Sequence, residues 1–413
     1  MKRKNYLHWA WIILGVCFFN LFMSYSVRLG YGVVLPEMIR DLNLGRTAGG
    51  TIYNAYLFTY IILTPFAGYF TDKFGGRKVI TVCCIFLCIG VGLMGTAGNL
   101  LTASLFFGIA GMGATGMWTP VITLVQRWFA FHRRGLALGI LSTGYGLGFA
   151  AMGVVFPWIV RNYNWRLSWY LLGGMAFVMI FANCFLLKSD PEASGYQPWG
   201  NGSVGEKSKS AVENSGAPVR LIDIFKNRNF WIIGLSYFAI SYAIYGTMTF
   251  MVDYARHQLG LSLEKSSFLA TIHGFGQIAG VLIILPLSDY VGRKKTIIIS
   301  NTMIALSLAG ILYSGSAWYL LYMCIGWAAI FQGATFPVYG ACAGDYFPRE
   351  WMGTVIGAWT PFYGLGAIMT HWISGITRDA TGIYDYAFSI DIIMAVAALI
   401  LISCVRRSSE RRD

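Results

Sequence analysis

The feature that most constrains this chain is the recurrence, along nearly its whole length, of apolar stretches long enough to cross a bilayer. A hydrocarbon core of about 30 Å takes roughly 20 mostly apolar residues of helix. Six such stretches fall in the first half: Trp9–Leu35, Thr51–Phe70, Val79–Ala97, Leu101–Leu124, Gly135–Val160 and Ser168–Leu187. Six more follow: Phe230–Met251, Ser266–Leu287, Thr296–Gly315, Trp318–Cys342, Met352–Ile376 and Tyr386–Val405. Inside lipid each backbone N–H and C=O must be paired within the protein, so these stretches are expected to be helices. With 56% hydrophobic and 12% charged residues, the chain has too little polar side-chain surface to wrap a soluble body of 413 residues. The expected fold is an all-α membrane protein with twelve transmembrane helices.

Residues 188–229 are rich in Ser, Gly, Glu, Lys and Pro and show no apolar periodicity, which reads as a cytoplasmic linker unable to bury itself. It divides the chain into an N-terminal six-helix bundle over 1–187 and a C-terminal one over 230–413. Lys2-Arg3-Lys4, the turns at Lys73–Lys78, Arg127–Arg134 and Arg293–Lys295, the linker and Arg406–Arg412 all fall on one side and hold most of the 31 Lys and Arg residues. The positive-inside rule makes that side the cytoplasm, with both termini there, in a multi-pass protein of the cell inner membrane. The net charge of +13 follows from this asymmetry and from acidic headgroups, so no nucleic-acid partner is required. The first apolar stretch is too long for the core of a cleavable signal peptide and is expected to remain as an anchor. The eight Cys residues sit mostly inside predicted helices without paired spacing, as small packing residues rather than disulfides or metal ligands. A membrane enzyme would need a His-Glu-x-x-His, a phosphate-cradling Gly loop with Lys, or a nucleophile and base; the sequence shows none, and no cofactor or metal is expected.

An internal repeat organises the rest. Gly68-Tyr-Phe-Thr-Asp72-Lys73-Phe-Gly75-Gly76-Arg77-Lys78 joins the second and third helices, and Pro286-Leu-Ser-Asp289-Tyr-Val-Gly292-Arg293-Lys294-Lys295 joins the eighth and ninth. Equivalent turns in equivalent places imply duplicated halves. Here the chain resembles the major facilitator superfamily, whose loop signature has this Gly-x-x-x-Asp-basic-x-Gly-x-Arg-basic form. The resemblance implies two pseudo-symmetric six-helix bundles, a substrate site between them near mid-membrane, and gating roles for Asp72, Arg77, Asp289 and Arg293. The second copy departs from the pattern at Leu285 and Tyr290.

A narrower resemblance rests on the fourth and fifth helices: Gly111-Met-Gly113-Ala-Thr-Gly116, Gln126-Arg127-Trp128-Phe129, Arg133-Arg134-Gly135-Leu-Ala-Leu-Gly139 and Gly144-Tyr-Gly146-Leu-Gly148, with Asn164-Trp165-Arg166 before the sixth. This is similar to the monocarboxylate transporters and the oxalate/formate antiporters. The glycines are expected to let the fourth and fifth helices approach closely. Val281 stands where anion-carrying relatives have an Arg, eight residues before the loop Asp.

Function in such a chain comes from polar groups inside the bilayer, where a central Arg costs roughly 2.5–3.5 kcal/mol and must face a cavity or a partner. Arg28, in the first helix with Ser24 and Tyr31 on its face, is a natural anion anchor, because a guanidinium can hold a carboxylate by two parallel hydrogen bonds. The alternative is a shorter span from which Arg28 snorkels to the interface. In the eighth helix His273 and Gln277 form one polar face, able to bond a substrate oxygen or to switch charge; His371 is a weaker candidate. The pocket is expected to be shaped by Tyr53, Tyr56 and Tyr60 with Asn54, by Trp118 and Thr119, Tyr145, Gln332 and Tyr339, and Trp359 and Tyr363. Asp253 and Asp391 fall near external helix ends, so no proton-coupling carboxylate is visible in the cavity. The expected function is secondary active transport of a small organic anion, a monocarboxylate, by alternating access coupled to protons. Anion exchange and transport of a neutral or cationic solute are the alternatives. The expected partners are the anion, protons and the bilayer, with the chain acting as a monomer.

Overall fold

The structure, a computed structural model, describes residues 8–130, 133–200, 221–315, 317–347 and 352–405. Lys2-Arg3-Lys4, linker residues 201–220 and Arg406–Arg412 lie outside the described residues. The long helices are α1 (Trp9–Asp41), α2 (Arg46–Phe74), α3 (Gly76–Met94), α4 (Leu100–Trp128), α5 (Arg134–Asn162), α6 (Trp165–Leu186), α7 (Arg228–Gln258), α8 (Leu263–Val291), α9 (Arg293–Tyr313), α10 (Trp318–Tyr346), α11 (Met352–Thr381) and α12 (Asp385–Ser403). Ten of them are individually long and apolar enough to cross a membrane. The other two, α2 and α11, pack on each other between the halves, where polar side chains find protein rather than lipid.

Local chemistry sets the helix ends. Asn99 caps α4 and forms a reciprocal capping box with Thr102, Asn164 accepts from Leu167 N at the start of α6, and Ser262 accepts from Lys265 N at the start of α8. The two repeated turns reverse through Gly75 at φ 87° and Gly292 at φ 92°, each three residues after its Asp, in a conformation that costs a Cβ-bearing residue energy. Near-equal dihedrals at equivalent glycines are the repeat seen in the backbone.

Two elements differ from the sequence reading. Helix α1 continues through Pro36 to Asp41, because a proline in a packed transmembrane helix is tolerated where neighbours satisfy the freed carbonyl, and Arg28 thus lies well inside it. Helix α4 breaks at a 3₁₀ turn, Thr115–Met117, and resumes at Thr119 with Pro120 in its first turn.

The end of the bundle where α1 begins and α12 finishes is called the near end, and the opposite end the far end. Residues 188–200 dock on the near end. Trp199 pairs its backbone with Trp128 and Ala130 and packs its ring on Trp11 and Phe129, while the Lys188 ammonium lies 4.3 Å from the Trp9 ring centre. The first part of the connection therefore buries aromatic surface despite its polar composition, since a few Trp and Tyr residues anchor it without periodicity.

Within the N-terminal bundle α1 packs on α5 and α6, α2 on α4, and α3 on α4 and α6; in the C-terminal one α7 packs on α11 and α12, α8 on α10, and α9 on α10 and α12. The halves meet where α5 crosses α8 and α2 crosses α11, with α1 against α7 between them.

Candidate functional site

Arg28 is 8% exposed, and its guanidinium turns inward rather than along the helix toward the interface. Its Nη2 donates to the hydroxyl of Tyr245, on α7 of the opposite half, at 2.5 Å. The guanidinium carbon lies 5.3 Å from the ring centre of Tyr60, 5.5 Å from that of Tyr245 and 5.9 Å from that of Tyr25. These ring faces stabilise the cation by about 0.5–2 kcal/mol each and leave its directional N–H groups to other partners. Arg28 Nε is buried and unpaired, and among the described residues no carboxylate forms an ion pair with it.

The cage opens into a continuous aromatic wall. Tyr25 contacts Tyr145 and Trp118; Trp118 meets Phe336 edge to face; Phe336 contacts Tyr237 and Tyr363; and Tyr363 returns to Tyr245. Of the residues singled out in the sequence, Tyr60, Trp118, Tyr145 and Tyr363 therefore come together with Arg28. Tyr56 is buried and stacks on Tyr60. Tyr31 sits elsewhere: its hydroxyl donates to Gly49 O and its ring stacks on Phe107, inside the N-terminal bundle. Thr119 is exposed at the restart of α4. Tyr339 is held by Ser236 and Asn301, and the Trp359 indole donates to Phe230 O, so both are engaged within the C-terminal half.

Four wall residues escaped the sequence reading: Tyr25, Tyr237, Tyr245 and Phe336. Tyr237 and Tyr245 lie eight residues apart on α7, within one helical stripe, and that spacing was the available signal.

A second polar group lies on α8. His273 Nε2 is 2.7 Å from Gln332 Oε1 on α10, its ring packs on Phe149, and its Nδ1 is buried without a partner, as is Gln277 Oε1. Helix α5 links the two groups, with Tyr145 touching Tyr25 and Phe149, one turn on, touching His273.

The model of the Major Facilitator Superfamily matches residues 16–267 and 233–413. The chain belongs to that superfamily. It is a multi-pass membrane transporter and not an enzyme. The probable sulfoacetate transporter SauU of Cupriavidus necator is 22% identical, covering 94% of this chain and 92% of that protein. Monocarboxylate transporter 2 of Mus musculus is 22% identical over 92% of this chain and 80% of its own length. Among solved structures, a D-xylose-proton symporter superposes with a TM-score of 0.75 at 16% identity, covering 97% of this chain and 99% of that one, which shows the shared fold.

In this facilitator the far end is sealed between the halves. Asp379 of α11 accepts from Arg46 N, Thr47 N and Thr47 Oγ1, and so caps α2, whose own N-cap is Gly45 with no side chain to do it. Arg46 Nε lies 3.2 Å from Asp253, a fully buried carboxylate that also accepts from the Tyr384 hydroxyl and faces His257. Arg256 pairs with Glu37, and Arg161 with Glu264 at 3.0 Å. Deeper in, His371 spans the halves: Nδ1 is 2.8 Å from Asn54 Oδ1 and Nε2 is 2.9 Å from Thr249 Oγ1. His371 and Asn54 are thus occupied in the seal rather than in the cage.

The residues of the repeated near-end turns bond within their own halves. Asp72 faces Arg127 at 3.8 Å, and Arg77 donates to Cys184 O. Arg293 bridges Asp289 at 3.4 Å and Asp345 at 2.9 Å.

The glycines of α4 and α5 do not bring those two helices together, which corrects the sequence reading. A Cβ on Gly111 would meet Tyr56 and Thr59 of α2, on Gly113 the α3 backbone, on Gly144 or Gly148 α1, and on Gly146 the Gly274 carbonyl of α8. Each small face of α4 and α5 therefore serves a different partner.

Proposed function

We propose that this facilitator is a secondary active transporter of a small organic anion carrying a carboxylate, moved by alternating access and coupled to protons. The observation that carries the reading is Arg28: a buried guanidinium between the halves, with one N–H on a neutral phenol, Nε unpaired and no carboxylate counter-ion among the described residues. A charge so placed is costly until an anion joins it, and a carboxylate matches two N–H groups at once. Relatives named for sulfoacetate and monocarboxylates share an anionic cargo with this proposal. The aromatic wall gives the apolar part of a small acid its contact surface, and the α8 pair, His273 and Gln277, offers polar atoms to its other end.

Coupling follows from charge. With the site empty, Arg28 stands as an uncompensated cation between the halves and opposes passage of the empty carrier, whereas the anion neutralises it. A proton travelling with each anion makes the full transport cycle electroneutral. By the distribution of basic residues, the near end is cytoplasmic, in the inner membrane of the cell. Asp72, Arg77, Asp289 and Arg293 are assigned to the near-end gate on the strength of their repeated positions.

Counterflow in proteoliposomes tests the anion reading. Preloaded monocarboxylates should accelerate entry of labelled carboxylate, and neutral sugars or amines should not. Acceleration by amines or sugars alone would overturn it.

A further inference from the structure

Asp391 lies in the second turn of α12, fully buried, and no element of the anion site uses it. Its Oδ2 accepts from Thr247 Oγ1 of α7 at 3.0 Å, and its Oδ1 from Thr370 Oγ1 of α11 at 3.4 Å, with Ser374 Oγ 3.4 Å beyond Thr370. A Cβ on Gly246 would stand 2.5 and 2.6 Å from the two carboxyl oxygens, so the group is pressed onto the α7 backbone. Tyr242 is its titratable neighbour on α7. On α11 the adjacent His371 is taken up by Asn54 and Thr249. Helix α9, also packed on α12, carries its titratable residues at its ends: Arg293, Lys294 and Lys295 at the near end, and Tyr313, 86% exposed, at the far end. Among the described residues no Lys, Arg or His forms an ion pair with Asp391.

A carboxylate in such a place would be an unpaired charge in a low-dielectric interior, which is avoided by binding a proton. We propose that Asp391 is a proton-binding site of this transporter, carrying a proton while the far end is sealed and opposing the seal when it loses it.

The connection to the rest of the molecule is short. Along α7, Tyr245 holds Arg28, Thr247 holds Asp391 and Thr249 holds His371; on α11, Thr370 holds Asp391 and the next residue reaches Asn54 across the halves. An ionised Asp391 would place its charge between the two C-terminal helices that carry both the cage and the seal. Proton binding and sealing then favour each other by the same coupling free energy, as linkage requires. The proton comes from water on the far side when that end is open and leaves to water on the near side when that end is open. As the coupling residue, Asp391 rests on the proton-coupled reading above; as a proton-holding carboxyl it stands on its own geometry.

The test uses the full chain in proteoliposomes with the acid that exchanges fastest in the wild-type counterflow panel. Asp391→Asn should keep exchange at equal pH on both sides while accumulation driven by a pH gradient disappears. Accumulation that persists in Asp391→Asn, or that follows a sodium gradient at constant pH in the wild type, would overturn the proposal. Should Asp391→Asn not fold, Asp391→Glu decides by infrared difference spectroscopy at neutral pH: a protonated-carboxyl C=O band of the wild type should shift in the variant, and no such band overturns the assignment. If the wild type exchanges no carboxylate, the anion reading fails, while the infrared band still reports on Asp391.

Discussion

Arg28 on α1 and Tyr245 on α7, 217 positions apart in sequence, are hydrogen-bonded across the interface between the two bundles. The contact sets a competition. The phenol is a neutral partner on one N–H of a cation, and a carboxylate arriving at Nε and the terminal nitrogens offers charge where the phenol offers only a dipole. Because the two residues belong to different halves, exchanging one partner for the other changes what holds α1 to α7.

Tyr245→Phe removes the competing hydroxyl but leaves the ring face over the guanidinium. Anion affinity in this variant should hold or rise, since the anion no longer displaces a hydrogen bond of about 1.5–3 kcal/mol. Equilibrium binding checks this, and weakening by tenfold or more, about 1.4 kcal/mol, would show that the phenol binds the anion rather than competing with it.

Asp379→Ala leaves α2 without its cap from the other half and frees one side of the far-end seal. Loss of an N-cap costs about 0.5–2 kcal/mol, charged to the sealed state alone. Spin-label distances between the far ends of α2 and α11 should report a larger share of far-open molecules, and an unchanged distribution would count against the seal.

The seal and the cage differ in how far they could be read from sequence. The helices were legible because lipid enforces length and apolarity on each span independently, and the two halves because Asp72 with Gly75 and Asp289 with Gly292 repeat a local motif. Arg28 was legible because a permanent charge in an apolar run has few explanations. Tyr245 was not: an aromatic in a transmembrane helix is ordinary, and its meaning depends on α1 standing beside α7, which no local pattern encodes. Tyr31 shows the converse, since a position three residues from Arg28 suggested a shared face, while its ring stacks on Phe107 and its hydroxyl donates to the Gly49 carbonyl inside the N-terminal bundle. Asp253 and Asp391 both read as residues near helix ends and both prove fully buried, one inside an ion-pair network and one among hydroxyls.

Gly274 and Gly146 bring α8 and α5 into backbone contact: a Cβ on Gly274 would lie 2.4 Å from Gly146 O and 2.6 Å from Ala150 N. Gly274→Val should wedge the halves apart, with overpacking of about 1–3 kcal/mol borne by the crossing. Transport should fall sharply while the protein remains in the membrane, as counterflow and quantitative membrane blotting would show.

Asn20 of α1 and Asn183 of α6 exchange two amide hydrogen bonds, at 2.6 and 2.9 Å, in a fully buried position. Asn20→Leu strands the partner amide and should lower stability by about 0.6–2 kcal/mol. The double variant Asn20→Leu/Asn183→Leu should recover part of that loss, and thermal unfolding in detergent distinguishes recovery from simple addition.

The most direct test of Arg28 as an anion anchor is thermal stabilisation of the purified protein by small carboxylates, sulfonates, amino acids and sugars, repeated on Arg28→Gln. The expected result is stabilisation by one class of acid in the wild type and none in the variant, with the unliganded variant still folded. Stabilisation by neutral or cationic compounds only, unchanged in Arg28→Gln, would contradict the anion site while leaving the facilitator fold in place.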